Sequence, residues 1–378
     1  MKKIKVLQVN KLYYPEVGGI EKTLQLISEG LNKKTDLKVL VCQKKGKGRS
    51  ENVNGVQVCR TGSFGVVASV PISISFIWEL RKMSREMDIV HYHMPFPLGD
   101  LACLLSGYKG KVAAYWHSDV VKQKKWMFLY RPIMEAFLKR ADVIFVGAKG
   151  IAEGSKYLKP YLDKCHVVPF AVSEDILQDG SVYLKENGYS RDNDSLQILF
   201  VGRLVYYKGI SVLIDAVKKL SDSVHLTVVG DGVLEKEMKQ KCQELNIQDR
   251  VTFLGKISDE QLKQCYRQAD VFVLPSTQRS EAFGLVQLEA MAYGLPVVNT
   301  NLKSGVPEVS IHKETGLTVP PEDPVQLAEA LRWMEEHSGE RVEMGKRARK
   351  RVETYYSEQA LFSGLMKEYR ELLGDTLV

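Results

Sequence analysis

Two carboxylates stand eight positions apart in the stretch Ser280-Glu281-Ala282-Phe283-Gly284-Leu285-Val286-Gln287-Leu288-Glu289-Ala290-Met291-Ala292. Before it lies Val271-Phe272-Val273-Leu274-Pro275, a short apolar run that reads as a buried parallel strand ended by a proline. Glu281 therefore falls where a strand hands over to a helix, expected from about Phe283 to Tyr293 and closed by Gly294 and Pro296. The first helical turn would leave N–H groups of Phe283, Gly284 and Leu285 without intrahelical partners, an arrangement that favours an anion such as phosphate. Carboxylates beside a phosphate repel it unless they hold something uncharged, and sugar hydroxyls fit that requirement. The pattern points to a nucleotide sugar. The plain alternative is a solvated helix face, on which residues eight apart lie about 80° from one another.

A second segment weighs against that alternative. Phe200-Val201-Gly202-Arg203-Leu204-Val205-Tyr206-Tyr207-Lys208-Gly209 again follows a strand, Leu196 to Val201, and delivers polar residues into a loop before a helix. Arg203 and Lys208 are the cations a diphosphate requires. Their shared position at the C-terminal end of a strand is the informative part, because open α/β sheets bind ligands there.

With these residues in place, the sequence resembles the retaining glycosyltransferases of family 4, which have the GT-B architecture of two Rossmann-like, doubly wound α/β domains facing each other across a cleft. The resemblance rests on Gly18-Gly19-Ile20-Glu21, His117 after a strand, Gly202-Arg203 with Lys208-Gly209, and Glu281 with Glu289, and it spans nearly the whole chain. It implies that Arg203 and Lys208 bind the donor diphosphate, that Glu281 holds hydroxyls of the donor sugar and that Glu289 holds the ribose. It implies further that Gly18 and Gly19 let a loop approach the phosphate, and that His117 touches the transferred sugar near its reacting carbon. Phe283, Gly284 and Leu285 complete the donor set. The family generally works without a metal, so the donor sugar nucleotide is expected to be used with no cofactor.

A chain of 378 residues is long enough for two ordinary domains, and the apolar content of 44% suits a globular protein. Strand-like runs in the first half (Ile4–Val9, Leu37–Cys42, Val56–Cys59, Ile89–His93, Val112–Trp116, Val143–Val146 and Val167–Val168) alternate with helical periods. A second series starts at Leu196 and continues through Val224–Val229, Val251–Leu254, Val271–Leu274, Val297–Val298 and Leu317–Val319. This is the βαβ rhythm of doubly wound sheets. The expected organisation is an acceptor-binding domain over 1–172, a polar linker over 173–195 and a nucleotide-sugar domain over 196–356. The resemblance implies a final helix, 357–378, that crosses back to the first domain.

Six scattered cysteines with no CxxC pair argue against a zinc site or a disulfide framework and for a reducing compartment. The N-terminus has no apolar h-region, so the expected location is cytoplasmic. Thr61 to Trp78 is uncharged and reaches the lower edge of membrane-spanning length, but Gly62, Gly65, Pro71 and its serines argue against a span. The net charge of +7 comes with no nucleic-acid motif, and an anionic membrane or a phosphorylated acceptor explains it better.

Several weaker patterns have plainer readings. Gly230-Asp231-Gly232 follows a strand like a dinucleotide fingerprint, yet Glu235 stands where the third glycine belongs. Gly46-Lys47-Gly48-Arg49-Ser50 lacks Walker spacing and reads as a basic loop. Asp192-Asn193-Asp194 is worded like a DxD metal motif but lies in the polar linker. His91 and His93 share one strand face without a third ligand, and His93 is expected to line the acceptor side, with Asp119 as a candidate partner for His117. Lys122, Lys124, Lys125 and Trp126 have the composition of a membrane-interface anchor.

The expected reaction is retaining transfer of a hexose, mannose from GDP-mannose first and a UDP-linked sugar second, to a polyprenyl-diphosphate-linked glycan of a bacterial surface polysaccharide. The enzyme would sit peripherally on the inner face of the cytoplasmic membrane. A catalytically idle sugar-nucleotide-binding subunit and an NAD-dependent dehydrogenase are the readings from other classes.

Overall fold

A computed structural model describes residues 3–16, 18–67, 70–119, 127–190 and 195–374. The chain divides into two compact units, one of residues 1–170 with 358–378 and the other of residues 171–357.

The first unit is built on β1 (Lys5–Val9), β2 (Asp36–Cys42), β3 (Arg49–Val53) and β4 (Val56–Thr61), then a small hairpin of β5 (Val66–Val67) and β6 (Val70–Pro71), then β7 (Ile89–Met94), β8 (Lys111–Trp116), β9 (Val143–Val146) and β10 (Cys165–Val167). Apart from the hairpin these form one sheet in the order β10-β9-β8-β7-β1-β2-β4-β3. All neighbours are parallel except β3, which runs antiparallel along the edge of β4. The chain leaves β1 toward β2 and later returns to β7 on its other side, so the topological switch point lies between β1 and β7, where open α/β sheets place their ligands. β7 is buried along its whole length, as a central parallel strand covered on both faces must be.

The second unit has β11 (Gln197–Val201), β12 (His225–Val229), β13 (Val251–Gly255), β14 (Val271–Leu274), β15 (Val297–Thr300) and β16 (Gly316–Val319) in an all-parallel sheet ordered β13-β12-β11-β14-β15-β16. Its switch point lies between β11 and β14. Its core is drawn from both the strands and the crossover helices, including Phe200, Leu213, Ile214, Val228, Val273 and Leu331.

Two expectations change. Residues 174–187 are not linker: they form a helix, Glu174–Asn187, that buries Leu177, Gly180 and Leu184. At Gly180 a side chain would stand 2.3 Å from the carbonyl oxygen of Ala292, so this glycine lets two helices of the second unit touch backbone to side. Asp192, Asn193 and Asp194 lie outside the described residues. Arg49 and Ser50 are not loop but open β3, whose exposed edge position relieves it of any need for apolar alternation. The uncharged stretch 61–78 is divided among the end of β4, the β5–β6 hairpin and the start of a helix, Ser75–Ser84. Among the described residues no helix is long and apolar enough to cross a membrane. The last helix, Glu358–Leu373, belongs to the first unit and buries Leu361, Phe362, Leu365, Met366 and Tyr369 there.

Candidate functional site

In the second unit, β11 and β14 flank the switch point and end in the two segments that carry the expected donor residues. The loop after β11 runs through Arg203 to a single 3-10 turn, Tyr206–Lys208, and the loop after β14 carries Ser276 and Glu281. The loops are tied together by the Thr277 N–H, which donates to the Tyr207 carbonyl at 2.8 Å. Gly209 completes the junction with φ +71°, and a Cβ there would lie 1.8 Å from the Pro275 carbonyl oxygen. Only glycine satisfies both the left-handed backbone and the close approach.

This junction places Lys208 Nζ 2.5 Å from Glu281 Oε2, with both side chains about nine-tenths buried. Ser276 Oγ donates to the same carboxylate oxygen at 3.3 Å. Arg203 is exposed and donates to the Tyr207 hydroxyl at 3.0 Å. The cation assigned to the diphosphate and the carboxylate assigned to the sugar are thus in contact with each other, an arrangement that presents both donor and acceptor atoms at the end of the sheet. Ser276 and Tyr207 were not among the expected residues. A polar residue directly after Pro275 at a strand's C-terminal end was the available signal for Ser276.

The following helix starts later than expected. It spans Leu285–Ala292, because Gly284 adopts φ +74° and cannot belong to it. The leading N–H groups without intrahelical partners are therefore those of Leu285 and Val286, and Phe283 and Gly284 precede the helix. The Phe283 side chain is buried and packs edge-on against Tyr356 at 6.0 Å. Glu289 lies on the helix and accepts a hydrogen bond from the buried Tyr266 hydroxyl at 2.8 Å. Gly230 and Gly232 have a packing reason: a Cβ at either would collide with the carbonyl oxygens of Gly202 or Leu204, at 2.2 and 2.3 Å. They seat the β12 loop against the Arg203 loop, which removes the need for a dinucleotide fingerprint.

In the first unit the helix Gly19–Leu31 opens next to β1, with Gly18 as its extended N-cap. The Glu21 carboxylate folds back so that a Cβ on Gly18 would meet it at 2.2 Å, whereas a Cβ on Gly19 would meet nothing within 4 Å. Gly19 therefore faces open space.

His117 directly follows β8 and lies on the same sheet face as Gln8, His91, His93 and Tyr115, as the parallel registers Gln8↔His91 and His93↔Tyr115 require. It stacks against both Tyr115 (4.9 Å) and Phe170 (5.2 Å), which also stack on each other, and is 8% exposed. Burial, followed by His93 and the Lys11 cation, holds its imidazole well below the ordinary histidine range, so it is neutral at pH 7. His93 does not line a surface: it is fully buried behind His117, with Nδ1 2.9 Å from His117 Nε2, and burial pushes its pKa down to about 3. Asp119 does not partner His117, since its Oδ1 accepts from Trp116 Nε1 at 3.1 Å and Ser155 Oγ at 2.6 Å. Among the described residues no cluster of three or more His, Cys, Asp or Glu side chains is arranged to hold a metal ion.

Residues 17–175 match the family described as Glycosyltransferase Family 4, and residues 185–351 match Glycosyl transferases group 1. The chain is 32% identical to the D-rhamnosyltransferase WbpZ of Pseudomonas aeruginosa across 94% of this chain and 92% of that protein. It is 30% identical to the O-antigen chain mannosyltransferase C of Escherichia coli across 98% of this chain and 99% of the relative. Among solved structures, Anabaena HepE in complex with UDP covers 97% of this chain and is itself wholly covered, with a TM-score of 0.76 at 17% identity, a likeness of GT-B fold.

Proposed function

Because the chain belongs to glycosyltransferase family 4, we propose that it transfers a manno-configured hexose from a nucleoside diphosphate sugar to a hydroxyl of a lipid-linked glycan, in the assembly of a bacterial surface polysaccharide. The observation that carries this reading is the convergence of Arg203, Lys208, Ser276 and Glu281 at the switch point between β11 and β14. The two full-length relatives are named for mannose and for D-rhamnose, its 6-deoxy form, and this supports GDP-mannose as the first donor to try. A UDP-linked sugar is the second.

In the proposed reaction the bond between the anomeric carbon and the β-phosphate oxygen breaks while the acceptor oxygen bonds the same face of the ring. The acceptor's proton passes to the departing phosphate, so configuration is retained without a protein nucleophile. Negative charge grows on the β-phosphate, where Arg203, Lys208 and the leading N–H groups of Leu285 and Val286 stabilise it in place of a metal ion. Glu281 binds sugar hydroxyls, Glu289 binds the ribose, and His117 supports the sugar near the reacting carbon.

Thermal shift with GDP, UDP, GDP-mannose, UDP-glucose and NAD tests the donor. A ligand at a hundred times its Kd stabilises by about 2.7 kcal/mol. GDP and GDP-mannose are expected to raise the melting temperature and NAD to leave it unchanged; a response to NAD alone would return the chain to the dehydrogenases. Transfer is expected to persist in EDTA, and abolition with rescue by manganese would bring back Asp192 and Asp194 as ligands. The two carboxylates separate by calorimetry: Glu289→Gln, which keeps an acceptor for Tyr266, weakens free GDP, whereas Glu281→Gln spares GDP affinity and damages transfer. Equal losses of GDP affinity would sink that division.

We further place the membrane contact on the helix Ser75–Ser84. Phe76, Leu80 and Ser84 face the core, while Ile74, Trp78, Arg81 and Arg85 recur at helical spacing on the exposed side with Lys82 beside them. Trp78 is 69% exposed, and Phe64 on the preceding hairpin is 75% exposed. Exposed aromatic and aliphatic tips with cations along one stripe suit an anionic bilayer. Lys122, Lys124, Lys125 and Trp126 lie outside the described residues. Trp78→Ser with Ile74→Ser is expected to reduce co-sedimentation with phosphatidylglycerol vesicles. Charge reversal at Arg81, Lys82 and Arg85 should do the same and flatten the salt dependence, each cation contributing about 1 kcal/mol. Unchanged sedimentation in both variants would move the contact elsewhere.

A further inference from the structure

Behind His117 lies a chain of buried polar groups that the proposed reaction does not use. His117 Nε2 meets His93 Nδ1 at 2.9 Å, His93 Nε2 meets Gln8 Oε1 at 3.0 Å, Gln8 Nε2 donates to the Tyr369 hydroxyl at 3.2 Å, and that hydroxyl lies 2.6 Å from His91 Nδ1. Gln8, His91, His93 and Tyr369 are all fully buried. Three come from the strands that flank the first unit's switch point, and Tyr369 comes from the last helix, 278 positions from His91.

An amide has one end that only donates and one that only accepts, so Gln8 gives the chain a direction. Its Oε1 takes a proton from His93 Nε2, which leaves a lone pair on His93 Nδ1 when that ring is neutral. His117 must then carry its proton on Nε2 and donate it to His93. The Tyr369 hydroxyl accepts from Gln8 and gives its own proton to His91 Nδ1. Turning the amide over would reverse every one of these protons. Burial depresses all three imidazoles, which keeps each ring neutral and the directional argument intact.

We infer that Gln8, His93 and Tyr369 are positioning residues that fix His117 in its Nε2–H tautomer, so that its Nδ1 offers a lone pair to a sugar hydroxyl. This rests on the reading that His117 faces the transferred sugar. It makes the last helix, remote in sequence from every motif, a determinant of turnover.

The tautomer is readable without any donor. Long-range 1H–15N correlation on the histidine-labelled wild-type protein is expected to show His117 protonated at Nε2 and bare at Nδ1. Tyr369→Phe keeps the ring but frees the Gln8 amide, and Gln8→Met removes both of its polar ends. Both variants are expected to mix the His117 tautomers and to lower kcat about tenfold, the scale of one lost positioning hydrogen bond, while free GDP affinity stays at its wild-type value. A His117 protonated at Nδ1 in the wild type would overturn the inference. So would a fall in kcat with the tautomer unchanged, or a mixed tautomer with kcat intact. If no nucleotide binds at all, the donor assignment fails, and the tautomer result stands or falls separately.

Discussion

Lys208→Ala and Arg203→Ala are each expected to lower transfer at least a hundredfold, and only the first is expected to weaken the fold. In the proposed reaction both remove a positive charge that stabilises the developing phosphate charge, a class of contact typically worth about 3–4 kcal/mol at the transition state, or two to three orders of magnitude in rate. Their surroundings differ. Arg203 is exposed and leaves behind only the Tyr207 hydroxyl, which can turn to water. Lys208 leaves Glu281 nine-tenths buried with Ser276 as its remaining partner, and breaking a buried pair on one side costs about 3–5 kcal/mol. Removing both partners with Lys208→Met and Glu281→Gln should therefore restore much of the stability but none of the turnover. Steady-state kinetics beside urea midpoints distinguishes these outcomes. A folded Arg203→Ala enzyme that keeps most of its turnover would show that the diphosphate binds elsewhere.

The second large effect is acid lability of the first unit. His91, His93 and His117 are buried and neutral, with His93 pushed down to about 3 and the other two well below the ordinary range near 6.5. A base whose folded pKa is depressed gives stability that is present above its unfolded pKa and is lost as pH falls toward the folded one. Between 6.5 and the folded values, each such ring makes unfolding easier by about 1.4 kcal/mol per pH unit. Asp100 works the other way. Burial raises its carboxyl well above the usual carboxylate range, so it favours the fold as pH falls. Below about pH 6 the histidines therefore lower the stability of the fold, and Asp100 offsets part of that loss. Urea unfolding at pH 7.5, 6.5 and 5.5 should show the midpoint flat over the first step and falling over the second. His91→Phe should make that fall shallower. A midpoint independent of pH across the range would show that the rings are not buried in the neutral form.

Much of this molecule was legible in its sequence because the signals are local. Buried parallel strands need continuous apolar runs, and ligand loops must follow their C-terminal ends, so Val271–Leu274 and Leu196–Val201 located Glu281, Arg203 and Lys208 directly. Elements without that requirement stayed hidden. β3 is an edge strand of Arg, Ser, Glu, Asn and Val with no buried face, and the polar composition of 174–187 concealed a helix whose few buried residues meet a neighbouring helix through Gly180. The helix after β14 starts at Leu285 because Gly284 takes a left-handed backbone, and a Cβ there would collide with the Leu274 and Gln287 side chains.

The sequence alone determined which residue types stand at the strand ends, and hence the class of ligand proposed for them. Only the tertiary structure decided which of them touch. Lys208 and Glu281 are paired because Gly209 and Pro275 allow two loops to meet backbone to backbone, and His117 meets His93 with Gln8 behind it because parallel register stacks alternate residues of neighbouring strands on one face, while Tyr369 reaches Gln8 from the last helix. Periodicity along a chain records which side of an element is buried; it carries no information about what a distant helix brings to cover that side.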